Sequence, residues 1–374
     1  MNLNHPTNIS PQMLQYAGTV QEVTGNGQDN EYARLNQLLS ALAKTTHESM
    51  EEIQHINMKM RMISFNSKIE AARAGEAGKA FSIVSDEMKI LSDQTATVAR
   101  NLRLDNARST GQLKNIFEEL STQVRGTRLS DLALTNIDLI DRNLYERSCD
   151  VRWWATDSSL VTALEEPSEE NNRHAAERLG VILNAYTVYF DLVLCDGAGN
   201  VVANGRAQQY RSSGMNMAAT DWFRQAMESR SGDHYGFQSV HASPLVKGQR
   251  VLMYSAAVRG GGKVHGKAMG ALGIVFNYDA LAQVIMRNTP ISASLKAMTR
   301  VCITDAEGLV LADSAGKILQ DTLEFPEREQ LYEQEKGYLI TELGSNRCCI
   351  AHARAPGYET YSTGWHSVIM QTLG

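Results

Sequence analysis

Residues 63–91 read ISFNSKIEAARAGEAGKAFSIVSDEMKIL, and the apolar letters on either side of this stretch decide the fold. Leu35, Leu39 and Leu42, then Ile53, Ile56, Met60 and Ile63, approach it in steps of three and four. Phe81, Val84, Met88, Leu91, Val98 and Leu102 leave it in the same rhythm. A seven-residue repeat keeps one apolar stripe facing a partner helix. Thr46, Ser49, Ser67 and Thr95 fall on the same register and give the seam weak layers. Gly75 and Gly78 interrupt the run, and glycine tolerates the backbone angles of a tight reversal. The spacing predicts an antiparallel helical hairpin over residues 31–125 with its tip near Gly75.

The letters say more than the spacing. Asn66, the run Ile69-Glu70-Ala71-Ala72-Arg73-Ala74-Gly75-Glu76, Gly78, Phe81, Val84 and Glu87 closely resemble the signalling tip of bacterial methyl-accepting chemotaxis receptors. The resemblance implies a tip that gathers dimers into trimers of dimers and docks a chemotaxis histidine kinase and its coupling protein. By alignment to that motif, Met58, Asn66, Glu70 and Arg73 take the trimer-contact positions. Met62, Ile63, Phe81 and Val84 take the kinase-coupling surface. Without the resemblance, Glu70 and Arg73 are an ordinary surface pair worth under ~1 kcal/mol. The chain departs from the family at Lys59-Met60-Arg61-Met62-Ile63-Ser64, where a small polar run is usual. The tip therefore either docks altered partners or serves self-association only. The family's methylation signature is also missing, because Glu51-Glu52 lacks flanking pairs of small residues.

At 374 residues the chain has room for two or three domains and a sizeable core. Its net charge of −6 and its lack of a basic stripe with interleaved aromatics argue against nucleic-acid binding. No stretch approaches the ~20 apolar residues that span a bilayer. MNLNHPTNISPQM lacks the basic start and apolar core of a signal peptide, so the expected location is the cytoplasm. Residues 1–30 read as a flexible leader. Cys149, Cys195, Cys302, Cys348 and Cys349 show no metal spacing and read as packing residues of a reducing compartment.

Leu129 to about Leu164 predicts a third helix, with Leu129, Leu132, Ile137, Ile140, Leu144 and Val151 as its apolar face. Asp141, Arg142, Glu146, Arg147, Asp150 and Arg152 read as a solvated, salt-bridged face. Pro167 ends that helix, and Glu169–Tyr186 reads as another. The period then switches to two. VYFDLVLCDGAGNVVANG is strand, Asp-x-x-Gly turn, strand. DWFRQAM is a short helix with Asp221 as its cap, and RVLMYSAAVRG and KAMGALGIVFN are strands joined by Gly260-Gly261-Gly262. VCITDAEGLVLADS begins a second, shorter round that NRCCIAHAR and GWHSVIMQTL close. In this order the segments resemble two PAS-like modules in tandem, a double Cache sensor, with the first module at 187–297 and the second at 298–374. The expected fold class is α plus α+β. It comprises a coiled-coil hairpin that makes a four-helix bundle as a homodimer, long helices over 129–186, and two antiparallel-sheet modules.

No catalytic constellation, metal-ligand spacing or cofactor motif emerges, and the chain reads as a non-enzyme. Trp222, Phe223, Tyr235, His241 and Tyr254 are the candidate ligand-binding residues of the first module. They read equally well as core aromatics of a PAS-like sheet. Amino-acid-sensing double Cache domains carry an arginine two places before the tryptophan and an aspartate on the later strand. Here Thr220 and Val275 stand there, which implies a ligand other than an α-amino acid held in that way. The expected function is a cytoplasmic chemoreceptor-like transducer with its hairpin N-terminal and its sensor C-terminal. A small ligand on the sensor would bias the hairpin. The alternative is a non-sensing scaffold that joins receptor arrays through the hairpin, its pocket filled by side chains.

Overall fold

The computed structural model describes residues 25–373. The leader expected over 1–30 lies outside the described residues as far as 24; from Gly25 the chain is helical. The chain divides into a helical unit that ends at Arg125 and a larger unit that begins at Gly126.

In the helical unit, α1 (Gly25–Arg73) and the first part of α2 (Lys79–Trp154) are joined by a tight 3₁₀ turn over Gly75–Gly78. Gly75 has φ +61°, a region that favours glycine. A Cβ on Gly78 would stand 2.1 Å from the Ala71 carbonyl oxygen, so the returning chain needs a bare backbone there. The two arms meet along small residues: Asn57, Ser64 and Ala71 face Ser85, Ser92 and Ala99, and all six are buried. Ser64 Oγ donates to the Ser85 carbonyl at 2.6 Å, and Ser92 Oγ donates to the Asn57 carbonyl at 3.1 Å. This corrects the predicted seam. Ile56, Ile63, Phe81, Val84, Leu91, Val98 and Leu102 are 49–71% exposed, because small side chains draw the helices together and displace the large ones to the flank.

Helix α2 does not stop where the hairpin was expected to end. The returning arm and most of the predicted third helix are one element to Trp154. No proline interrupts it, and Gly126 is held inside it by packing: a Cβ there would lie 2.2 Å from the Tyr338 ring. Asp157 then starts α3 (Ser158–Glu165) by accepting from the Ser159 N–H at 2.9 Å. Ser168 starts α4 (Glu169–Ala185) by accepting from Asn171 N–H at 3.1 Å.

The first sheet contains β1 (Tyr189–Asp196), β2 (Val201–Asn204), β3 (Gly236–Ser243), β4 (Gln249–Arg259) and β5 (Ala268–Phe276), in the order β2-β1-β5-β4-β3. Helix α5 (Asp221–Met227) precedes β3, and α6 (Tyr278–Asn288) and α7 (Ala293–Lys296) follow β5. The second sheet contains β6 (Thr299–Thr304), β7 (Val310–Asp313), β8 (Lys336–Leu343), β9 (Asn346–Arg354) and β10 (His366–Thr372), with α8 (Arg328–Glu333) before β8. Its order is β7-β6-β10-β9-β8, the same plan again. The β1–β2 and β6–β7 hairpins turn on the expected Asp-x-x-Gly: Asp196 accepts from the Ala198 N–H at 2.9 Å, Asp305 accepts from the Leu309 N–H at 2.8 Å, and Gly199 and Gly308 have positive φ.

One core runs from the long helix to the inner faces of both sheets. Ile137, Ile140 and Leu144 of α2 pack there with Leu192, Ile274, Ile303 and Ile369. Separate clusters cover the outer face of each sheet. The expected solvated face of the long helix is partly wrong. Asp141 and Arg147 are buried. The Asp141 carboxylate accepts from the Gly357 N–H at 3.0 Å and from the Thr363 hydroxyl at 2.7 Å, so it fastens the turn between β9 and β10. Burial is the larger influence and raises its pKa, against the hydrogen bonds. Arg147 lies beneath the aromatic faces of Tyr189 and Phe276 at 5.4 and 5.8 Å, and pairs with Glu146 at 2.6 Å.

Candidate functional site

At the hairpin tip, Met58, Met62, Ile63, Phe81 and Val84 are all more than half exposed, at 54–71%. Asn66 is exposed beside them. Arg73 donates to Glu70 at 2.8 Å, and both side chains face solvent. Arg61 reaches Asp93 on the opposite arm at 3.2 Å, and Lys68 pairs with Asp86 across the turn. The unusual Lys59-Met60-Arg61 segment therefore spends one cation on an arm-to-arm pair. Phe65 and Ile83 extend the exposed apolar band at 67% and 66%, and the sequence reading passed over both. Their signal was available, since neither falls on the register that buries the small residues.

In the sensor unit the five candidate ligand residues lie in two separate places. Trp222 and Phe223, on α5, are buried against the outer face of the first sheet, with ring centroids 6.0 Å apart. The Trp222 ring packs against Gly273, where a Cβ would be 3.0 Å from it. Met217, Met253 and Val275 complete the packing. Asp221 does not cap this helix as expected. Thr220 is the N-cap residue, with its hydroxyl turned to the Met217 carbonyl at 2.7 Å, while Asp221 pairs with Arg224. Tyr254 points to the opposite face. Its hydroxyl meets that of Tyr361, from the turn after β9, at 2.5 Å. Burial holds the Tyr254 hydroxyl well above the ordinary tyrosine range. Tyr235 packs on Tyr254 at 6.1 Å and is half-buried. His241, on β3, donates from Nδ1 to the Ser239 carbonyl at 2.7 Å and joins neither group.

The corresponding outer face of the second sheet holds a polar stack that the sequence reading left scattered. Tyr332 lies on His366 at 4.0 Å, and His366 Nδ1 meets His352 Nε2 at 2.7 Å. The Tyr332 hydroxyl meets that of Thr304 at 2.9 Å. Burial first, and nearby positive charge second, hold both histidines well below the ordinary range, so the pair is neutral near pH 7. Burial pushes the Cys195 thiol up to about 12, which makes it a packing group rather than a nucleophile. Among the described residues, no group of three or more His, Cys, Asp or Glu side chains is placed to hold a metal ion.

Residues 12–136 match the family model of the methyl-accepting chemotaxis protein (MCP) signalling domain. Over that third the chain resembles chemoreceptors. It is 27% identical over 124 residues to the methyl-accepting chemotaxis protein HlyB of Vibrio cholerae, covering 31% of this chain and 21% of that protein. It is 33% identical over 89 residues to McpP of Pseudomonas putida, covering 24% of this chain and 13% of that protein. The chemoreceptor-like chain thus spans about a fifth or less of the length of these relatives. In fold, it is similar to the sensor domain of the Vibrio cholerae histidine kinase DctB, at TM-score 0.50 and 14% identity, over 68% of this chain and 98% of that one. It is equally similar to the ligand-binding domain of a Campylobacter jejuni chemoreceptor in complex with L-valine, at TM-score 0.50 and 14% identity, over 68% of this chain and 94% of that one. Helices followed by two antiparallel sheets therefore share the Cache-like fold of these domains, and residues 12–136 are similar to the MCP signalling domain. The relatives by sequence are signal transducers rather than enzymes. No helix among the described residues is long and apolar enough to cross a membrane.

Proposed function

We propose that the chain is a cytoplasmic signal transducer in which a small ligand on the Cache-like sensor biases the hairpin, and the hairpin tip controls a chemotaxis histidine kinase through its coupling protein. The observation that supports this reading most is helix α2, which runs unbroken from the turn at Gly78 to Trp154. Residues of the hairpin and of the sensor core thus share one continuous helix, and a change in its packing at Ile137 or Leu144 has a covalent route to the tip. The domain assignment follows: a signalling hairpin to about residue 125, then long helices and the two modules over 126–374.

The hairpin works as a homodimer in this reading. Its small-residue seam leaves Ile56, Ile63, Phe81, Leu91 and Val98 about half exposed or more, at 54–71%. A second copy that covers this stripe completes a four-helix bundle. Light scattering on the full chain at tens of micromolar tests it, with a dimer expected; a monomer refutes it. Kinase control is tested by adding the chain to purified chemotaxis kinase and coupling protein and following autophosphorylation.

The scaffold reading has one observation in its favour: Trp222 and its neighbours fill the outer face of the first sheet with side chains. A thermal-shift screen of small metabolites against the full chain separates the two. A transducer shows stabilisation by some compound, since binding to the native state raises the melting temperature. A scaffold shows none, and still joins receptor clusters.

A further inference from the structure

A cavity of about 320 Å³ opens where α2 ends, bounded by Cys149, Arg152, Trp153, Asp233, Arg259 and Lys263. None of its lining residues belongs to the cluster around Trp222. Arg259 is only 7% exposed. Its Nη1 donates to the Gly266 carbonyl at 2.8 Å and its Nη2 to the Ser229 hydroxyl at 2.8 Å. Its Nε is buried and makes no hydrogen bond. Among the described residues, no carboxylate forms an ion pair with Arg259, Arg152 or Lys263. Asp233, the one acid on the lining, turns its carboxylate to Ser231 at 3.2 Å and offers Arg152 only its backbone carbonyl, at 3.2 Å. Glu165 accepts from the Gly261 N–H at 2.8 Å and serves the loop.

A buried guanidinium without a countercharge is costly, and the cost is relieved when an anion comes to it. Three cations from separate elements converge here: Arg152 from the helix end, Arg259 from the end of β4, and Lys263 from the loop after it. Trp153, 71% exposed at the rim, adds an indole N–H and a flat apolar edge. We propose that this cavity binds a small oxyanion carrying at least two negative charges, of the phosphate or dicarboxylate kind. Planar guanidinium forks suit both. The binding inference stands without the transducer reading. If that reading also holds, the anion acts on the last turn of the helix that reaches the hairpin.

The test is thermal unfolding of the full chain with inorganic phosphate in one arm and succinate in the other, each against potassium chloride at equal ionic strength. Either oxyanion is expected to raise the melting temperature above the chloride control, and the arm that does so identifies the source. Lys263→Glu, at an exposed position, is expected to weaken binding by about tenfold or more, the value of one lost hydrogen bond to a charged group. Arg152→Gln is expected to weaken it similarly. A shift unchanged in both variants places the anion elsewhere and overturns the proposal, as does the lack of any shift beyond chloride. A dimer that controls kinase yet shows no such shift would overturn the anion site alone.

Discussion

The two sheets share one strand order and each buries an apolar cluster on its outer face, but a polar stack is set into the second. On the first, Trp222, Phe223, Met217 and Met253 make an apolar layer packed so closely that a Cβ on Gly273 would stand 3.0 Å from the Trp222 ring. On the second, Tyr332, His366 and His352 lie stacked in a polar row, closed at one end by Thr304. The topology is thus indifferent to what covers it. The first face is held by packing, and burial keeps its Cys195 thiol protonated. The second sets a pair of neutral imidazoles, which acid can charge, beside its apolar cluster.

The largest effect should come from breaking the apolar face. Trp222→Ala removes a 1%-exposed ring from a packed layer and is expected to cost about 3–5 kcal/mol in urea unfolding followed by circular dichroism. A loss well under that range would mean that the ring walls a cavity instead. The next effect concerns the turn that carries Tyr361 to Tyr254. Asp141→Ala strands the Gly357 and Thr363 N–H groups and should cost about 1–3 kcal/mol by the same measurement.

The polar face should respond to acid. The folded state holds His352 and His366 below the ordinary value of about 6.5, so below that pH the unfolded chain binds more protons than the folded one. Stability is fully present above about pH 6.5 and falls as the pH is lowered, by about 1.4 kcal/mol per pH unit for each proton involved. The groups facing the pair are Tyr332, with Arg328 over its ring, and Arg354, whose charge adds to the shift. Asp141 works in the opposite sense, because its raised pKa makes the fold firmer as it protonates. Melting temperatures at pH 7.5 and 5.5 should therefore fall in the wild type and fall less in a His352→Phe, His366→Phe double variant. An equal fall in both would remove the pair from the acid response.

Much of this architecture was legible in the sequence, and the gaps have physical causes. The hairpin tip, both Asp-x-x-Gly turns and the inner strands were readable because glycine, aspartate and a clean alternation of apolar residues mark them. The edge strands β3 and β8 were not read. GFQSVHAS and KGYLITEL are half-buried along most of their length, so polar residues interrupt the period on both faces. The hairpin register was read from its largest residues, whereas the contact between the arms is made by Ser64, Ser85 and Ser92, which carry no hydrophobic signal. The break at Ala155 and Thr156 was missed because the signal is a single capping residue, Asp157. The candidate pocket residues share aromatic character but not a face, because alternation along β4 sends Tyr254 away from the face that Trp222 covers.

The smallest effect on stability belongs to the tip, and it separates a functional role from a structural one. Glu70 and Arg73 form a 2.8 Å pair three residues apart, with both side chains about 70% exposed at 69% and 72%. A pair of that kind contributes under ~1 kcal/mol, so Glu70→Ala and Arg73→Ala should leave helicity, melting temperature and dimer mass nearly unchanged. If the tip gathers dimers into trimers, the same two variants should still disperse fluorescent clusters in cells, because higher-order contacts form through these exposed groups. Charge exchange sharpens the result. Glu70→Arg with Arg73→Glu keeps the intramolecular pair and reverses what a neighbouring dimer meets. Clusters lost in the exchange as well as in the single variants assign the residues to contacts between dimers. Clusters kept in all three reduce the pair to a solvated ornament of the turn and leave the exposed band of Phe65, Phe81 and Ile83 as the surface that gathers the tips.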